Sequence, residues 1–263
     1  VGVFDVSHMG EIFIKGKNSL DFLQYVLSND IAKLKPGKVQ YAYMPNHEGG
    51  IVDDLLVYQI HHEVYMLVVN ASNVEKDMKW LNQNNKLDVE ISNESNDYSL
   101  LAIQGPQSID LLQQLTNTRL NDIKYYNFLI GKIGSVEDII ISRTGYTGEL
   151  GFELYIKNKY MKETWDTLFN TNIELKPIGL AARDTLRLEQ GFCLYGNDID
   201  DTTCPIEAGL GWITKFSKKF INSENLRKQH ESGNLQKRLV GMILHDINDV
   251  IVDPTRKTSY LDL

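Results

Sequence analysis

The chain has 263 residues, enough for one large domain or two to three small ones. Hydrophobic residues make up 42% and charged residues 24%, a balance that excludes a disordered chain. Lys plus Arg number 27 against 35 Asp plus Glu, a net charge of −8 with pI ≈ 5.3, which argues against nucleic acid as the main partner.

Mean hydropathy is −0.28, and no apolar run approaches the roughly 20 residues that cross a bilayer, so neither a membrane span nor a membrane partner is expected. The two cysteines, Cys193 and Cys204, make no disulfide scaffold and suit a reducing compartment. The sequence starts at Val1, inside a segment that already reads as structured, so the natural N-terminus is expected upstream.

Val3 to Ile14 alternates apolar and polar residues and reads as strand, turn, strand. Asn18 to Leu27 reads as a helix capped by Asn18 or Ser19, with Leu20, Phe22, Leu23, Val26 and Leu27 as its stripe. Three strands follow, Val39 to Pro45, Ile51 to Gln59 and Val64 to Asn70, and then a helix over Ala71 to Asn82 capped by Asn70 or Ser72. Val89 to Ser92 and Tyr98 to Gln104 are further strands, and Pro106 opens a helix that runs to about Leu115. In the second half, Phe128–Ile133, Ile139–Ser142, Gly151–Ile156, Gly211–Thr214 and Leu239–Leu244 read as strands, with helices over Lys159–Phe169 and Ile178–Glu189. Hairpins plus helices without strict alternation predict an α+β fold with antiparallel sheets and flanking helices, not a doubly wound parallel sheet.

Several chemistries lack their motifs. No G-x-G-x-x-G, P-loop, H-E-x-x-H, C-x-x-C or G-x-S-x-G occurs, and no metal site is expected. Three segments carry information instead. Gly49 to Tyr58 places Asp53 and Asp54 side by side in an apolar strand, on opposite faces, with Asp54 sharing a face with Val52, Leu56 and Tyr58. Such acids serve either as functional groups or as strand-start acceptors for turn amides. Arg143 to Glu153 is a glycine-dense hairpin ending in an acid that wants a donor. Gly179 to Gly191 opens a helix with Arg183 and Arg187 on one face, which reads either as a solvated face with ion pairs or, given the close packing of Ala181, Ala182 and the leucines, as one that buries Arg183 against a carboxylate. A Glu and an Arg in one cleft suit an amino-pyrimidine edge, the acid accepting from N–H and the guanidinium donating to a carbonyl. Tyr41, Tyr58 and Tyr146 lie in or beside these segments and suit either a planar ligand or the core.

The blocks FDVSHMGEI, GGIVDDLLVY, RTGYTGELGFE and GLAARDTLRLEQGFCLYGNDID, continued by TTCPIEAGLGW, occur in this order. Together they resemble the aminomethyltransferase (T-protein) family of the glycine cleavage system, from Val1 to about Gly241. A related folate-binding family of assembly proteins carries K-G-C-Y-x-G-Q-E where this chain has GFCLYGNDID. The resemblance implies a cloverleaf of domains around a central folate funnel. Residues 1–10 and 98–230 would form a folate-binding α+β domain, 11–97 an inserted ferredoxin-like domain carrying the catalytic acid, and 231–263 the start of an incomplete C-terminal β-barrel. It implies tetrahydrofolate as co-substrate and a lipoylated H-protein as partner, with transfer of a methylene from the S-aminomethyl-dihydrolipoyl arm to the folate and release of ammonia. The alternatives are another folate-dependent one-carbon enzyme, demethylase-like, or a non-catalytic folate-binding assembly protein.

Residue by residue, the resemblance makes Asp54 the catalytic acid and assigns folate contacts to Glu153, Arg183, Tyr41, Tyr58, Tyr146 and Met9. The tail Asn248 to Leu263 does not continue the family pattern. A monomer is expected, in a bacterial cytoplasm or a mitochondrial matrix. Docking of an acidic H-protein would use a local cluster of lysines, either Lys33, Lys35 and Lys38 or Lys215, Lys218 and Lys219.

Overall fold

A computed structural model describes residues 1–233 and 235–241. The chain forms two sheets laid face to face, with helices covering both outer faces. The first sheet contains β1 (Gly2–Asp5), β7 (Tyr98–Gln104), β8 (Phe128–Ile133), β9 (Val136–Ser142), β10 (Gly151–Lys157) and the two-residue β11 (Lys176–Pro177), in the order β11-β1-β7-β10-β9-β8. The second contains β2 (Gly10–Lys15), β3 (Val39–Pro45), β4 (Ile51–His61), β5 (Val64–Val69) and β6 (Glu90–Asn93), in the order β3-β4-β5-β2-β6. Every pairing is antiparallel except β1 with β11. The fold is therefore α+β with antiparallel sheets, as the sequence pattern predicts.

β1 and β2 are neighbours in sequence but part into different sheets. Helices α1 (Ser19–Val26) and α2 (Val74–Asn84) pack on the outer face of the second sheet, around Phe22, Leu23, Val26 and Leu81. Helices α3 (Ser108–Gln113) and α4 (Met161–Phe169) cover the outer face of the first, where Leu111, Leu112 and Leu168 meet Leu101, Ile103, Phe152 and Leu154. Between the sheets lie Phe4, Phe13, Tyr58, Met66, Val68, Leu100, Ala102, Phe128 and Tyr155. Both faces of β7 and β10 are thus buried. Their sequences accordingly run apolar almost without interruption, instead of alternating with polar residues. Full burial of each such side chain contributes about 1.5–3 kcal/mol, so these three layers hold most of the apolar stabilisation.

Four sequence expectations change. The helix after Pro106 starts two residues later, at Ser108, whose hydroxyl donates to Leu150 O while Pro106 occupies the turn after Gly105 (φ 122°). Gly211–Thr214 is not a strand: Leu210–Ile213 forms a 3₁₀ turn, entered from Gly209 in the left-handed region and closed by Thr214 N–H donating to Gly211 O. Leu239 to Gly241 adds no strand, and the rest of that expected strand lies outside the described residues, as does the tail Asn248 to Leu263.

The fourth change concerns the face assignments on β4. A bulge after Met44 pairs Met44 with Asp53 but Pro45 with Ile51. Val52 therefore packs with Leu55 and Val57 on the helix side, and Ile51 joins Tyr43 on the other, reversing the simple alternation for these two residues.

After α5 (Leu180–Glu189) the chain crosses back over the start of β4. Ile51 N–H donates to Asp200 O, and Asn46 Nδ2 donates to Asp201 O at 2.7 Å. Gly50 is required at this crossing, because a Cβ there would sit 1.7 Å from the Asp201 carbonyl oxygen. Gly50→Ala is expected to destabilise the fold by about 1–3 kcal/mol, as overpacking does. Urea unfolding checks this, and an unchanged midpoint would contradict the close crossing.

Candidate active site

The two sheets and the crossing segment enclose a cavity of about 2160 Å³. Pockets for small ligands usually span about 300–1,000 Å³, so this one has room for more than a single compact ligand. Six of the seven residues singled out in the sequence line it: Met9, Tyr41, Asp54, Tyr146, Glu153 and Arg183. The exception is Tyr58. It is fully buried between the sheets, and its hydroxyl meets Tyr155 OH at 2.9 Å and Ser142 Oγ at 3.1 Å. Tyr58 is a core residue in this structure, because β4 turns it into the intersheet layer, and Tyr155 reaches the cavity instead.

Asp54 lies deep below the outer surface, yet it borders the cavity. Tyr41, across the β3–β4 ladder, donates its hydroxyl to Asp54 Oδ2 at 2.8 Å. Asn70, at the end of β5, donates Nδ2 to Asp54 Oδ1 at 2.9 Å. Burial first, and the charge of Asp53 second, push the Asp54 carboxyl up to about 7. Asp53 itself is wholly buried and accepts from Asn70 N–H (3.0 Å), Asn70 Nδ2 (2.9 Å) and Asn73 Nδ2 (2.6 Å).

Sequence reasoning missed these asparagines as functional groups. The sequence offers Asn70 or Ser72 as the cap of that helix, but neither Asn70 nor Asn73 makes a side-chain cap bond. Both turn their amides back to the carboxylates. The signal available was the spacing of three amide or acid side chains after an apolar strand, N-x-x-N-x-x-x-D over Asn70, Asn73 and Asp77.

Glu153 sits on β10 opposite Ser142 and Ala102 and is 5% exposed. Thr144 donates its hydroxyl to Glu153 Oε2. The glycine-dense loop that carries Thr144 and Tyr146 wraps a buried amide, Gln104. Gln104 Nε2 donates to Thr144 O and Phe152 O, each at 3.3 Å, and Oε1 accepts from Thr147 Oγ1 at 2.9 Å. A Cβ at Gly145 or Gly151 would fall 2.2 Å and 2.4 Å from that amide, which explains both glycines.

Arg183 does not bury against a carboxylate. That role belongs to Arg187, one helical turn on, whose guanidinium is buried and pairs with Asp184 (2.8 Å) and with Asp198 of the crossing segment. Arg183 instead lies over the Tyr146 ring, 4.8 Å from its centroid, and its buried Nη1 has no hydrogen-bond partner. Tyr146 stacks on Phe192 and donates its hydroxyl to Cys193 O. The Cys193 thiol borders the cavity, and burial together with Asp54 pushes it up to about 12, so it is neutral at physiological pH. Among the described residues no group of three or more His, Cys, Asp and Glu is arranged to hold a metal.

One lysine cluster is also revised. Lys218 is half-buried and donates Nζ to Gln24 O (2.6 Å) and Leu27 O at the end of α1, where desolvation lowers its pKa to about 7. It therefore serves helix α1 and is withdrawn from any docking surface.

The family model of the GCVT N-terminal domain matches residues 1–218. The chain belongs to the GCVT family. Among curated relatives, an aminomethyltransferase of Flavobacterium psychrophilum is 58% identical over 239 residues, covering 90% of this chain and 66% of that protein. One from Bacteroides fragilis is 56% identical over 250 residues, covering 94% and 69%. The solved structure of glycine cleavage system aminomethyltransferase T from Bartonella henselae superposes with a TM-score of 0.80 at 33% identity, covering 88% of this chain and 63% of that one. The chain thus spans about two thirds of the length of the relatives it matches.

Gln104→Leu keeps the volume of the amide but strands two carbonyls and a hydroxyl. Each buried unmade bond costs about 1–3 kcal/mol, so a stability loss of at least that size is expected in thermal or denaturant unfolding. A loss below a few tenths would mean that the loop is held by something other than Gln104.

Proposed function

We propose that this chain forms the folate-binding and catalytic portion of an aminomethyltransferase of the glycine cleavage system. The reading rests on one observation above the others: Asp54, Glu153, Arg183, Tyr41 and Tyr146 converge on a single cavity large enough for two reactants. The names of the relatives support the reaction class. The two reactants would be tetrahydrofolate and the aminomethylated lipoyl arm of a partner H-protein. The bacterial relatives favour a cytoplasmic setting, and a monomer remains the simplest working assembly.

The cavity fits a folate head. An amino-pyrimidine ring offers N–H donors and a carbonyl acceptor. Glu153 presents a carboxylate with one oxygen already fixed by Thr144, and Arg183 brings an uncommitted N–H. Tyr146, fixed by Arg183 and Phe192, lines the same cavity and adds apolar ring surface beside the free Arg183 N–H. Tetrahydrofolate supplies the amine nitrogens that take up the methylene.

The protein's part is positioning and charge. Tyr41 and Asn70 fix the two oxygens of Asp54, so its charge meets the reacting carbon without reorganisation. Asp54 acts through charge and hydrogen bonds rather than as a nucleophile. Its ionised form stabilises the positive charge that develops as ammonia leaves.

Three measurements test this. Calorimetric titration of tetrahydrofolate into this chain should show binding that Glu153→Ala abolishes. If neither this chain nor a version with the relatives' full length binds, the folate assignment is wrong. In an assay with aminomethylated H-protein, Asp54→Asn should lower turnover by about 10²–10³-fold, as loss of a preorganised electrostatic group does. The direction of pH dependence follows from the raised pKa of Asp54. If the ionised form is the active one, kcat/KM should rise with pH through about 7. A flat profile across that range would remove Asp54 from the role.

A further inference from the structure

Behind Asp54 lies a third acid that the transfer reaction does not use. Asp77, in the first turns of α2, is wholly buried, and neither carboxyl oxygen has a hydrogen-bond donor. An ionised carboxylate in that position would be stranded in the interior. The amides of the helix start do not reach it. Its helical neighbour Lys76 turns away, donating to Tyr195 OH at 2.6 Å and pairing with Asp201 at 3.8 Å. The acid beside it is Asp53 on β4, which Asn73, one helical turn before Asp77, reaches at 2.6 Å.

Asp53 is placed in the opposite way. Three N–H donors converge on its two oxygens, which is the environment of a negative charge. Asn70 Nδ2 donates to both Asp53 and Asp54. The charged and titratable groups facing Asp77 are Asp53 and Asp54 from β4 and Lys76 on its own helix. Tyr195 and Asp201, from the crossing segment, take up the Lys76 ammonium.

We propose that Asp77 is a neutral carboxylic acid that donates its proton to Asp53, and that the pair stands behind Asp54 as a single fixed negative charge. Asp77 is then a positioning residue. It keeps the Asp53 carboxylate in place, and Asp53 in turn sets how readily Asp54 gives up its proton. Like-charged carboxyls this close do not both ionise. In agreement, burial and the Asp53 charge push Asp77 up to about 10.

The sign of the pH effect follows by linkage. Native Asp77 keeps its proton at pH values where the unfolded chain has lost it, so ionisation draws the protein toward unfolding as pH rises. Asp77→Asn keeps the size and the donor but cannot ionise. The folding equilibrium constant of Asp77→Asn relative to the parent should therefore grow with pH, by up to about tenfold per pH unit, over the range in which the unfolded chain has lost this proton and the native protein keeps it. Parallel stability curves overturn the proposal.

A measurement on the unmutated protein guards against a variant that fails to fold. With carboxyl-labelled aspartate, infrared spectra at about pH 9 should show one protonated aspartate C=O band, since Asp54 titrates at about 7. No such band would also overturn it. The link to Asp54 has its own readout and rests on the function proposed above. Asp53→Asn should move the rising limb of kcat/KM to lower pH, whereas Asp77→Asn should leave it in place. If Asp77→Asn shifts the limb as far as Asp53→Asn does, Asp77 carries the charge and the assignment fails. The unfolding and infrared tests need no activity, so their failure and the failure of the functional reading are separable.

Discussion

The desolvation of Asp53 and Asp54 is the constraint on which the site depends. Two adjacent acids in a strand covered on both sides would be intolerable without donors, because an unpaired buried carboxylate forces either neutralisation or unfolding. The structure answers by bringing the end of β5 and the start of α2 onto one face of β4. Asn70 and Asn73 are spent there, in positions where they would otherwise cap helices. Local helix stability is given up for a fixed charge arrangement. The two acids also come to differ through this packing alone. Asp53 takes three N–H bonds away from the cavity, and Asp54 takes a tyrosine hydroxyl and one amide while bordering it.

A second fixed point is the crossing of the segment after α5 over the start of β4. Asp200 and Asp201 bond to Ile51 and Asn46, Tyr195 reaches Ile51 O at 3.0 Å, and Asp198 takes the buried Arg187. These contacts close one wall of the cavity with a segment that has almost no regular structure. Its order comes from the backbone of Ile51 and the side chains of Asn46 and Arg187 rather than from a ladder of its own. The cluster of Tyr43, Ile51, Cys193, Ile199, Leu210 and Ile213 supplies the apolar part of that wall.

Much of the fold was legible because hydrophobic period and turn chemistry agree along most of the chain. Strands β3, β4, β5, β7 and β10 and helices α1, α2, α4 and α5 fall within two or three residues of their sequence-read positions. What escaped was non-local. The bulge after Met44 reversed the faces of Ile51 and Val52, and nothing within the strand itself announces it. Gly211 to Thr214 is apolar enough to read as a strand, but Leu210–Ile213 winds into a 3₁₀ turn that joins neither sheet. The site was legible as a set of segments, since acids and glycines inside apolar runs are locally costly and therefore informative. Which arginine is paired and which is free was not, because Asp198 reaches Arg187 from eleven residues away. Tyr58 was misplaced for a related reason: one strand face serves both the cavity and the intersheet core, and only the position of the opposing sheet separates them.

The glycine-dense loop shows how one buried amide can account for a sequence pattern that looks like flexibility. Gly145 and Gly151 are small because Gln104 occupies the space, and Gly148, at φ 75°, lies against Gln190. The loop is therefore a packed object whose carbonyls at Thr144 and Leu150 are consumed by Gln104, Gly105 and Ser108. That consumption leaves Thr144 free to orient Glu153, and Thr144 Oγ1 also bonds to Ser142 Oγ at 2.9 Å within the hydroxyl cluster of Tyr58 and Tyr155. Rigidity at Glu153 and rigidity in the intersheet core thus share the same hydroxyls. A change on either side of the sheet would be felt at the cavity through them, without any side chain having to cross it.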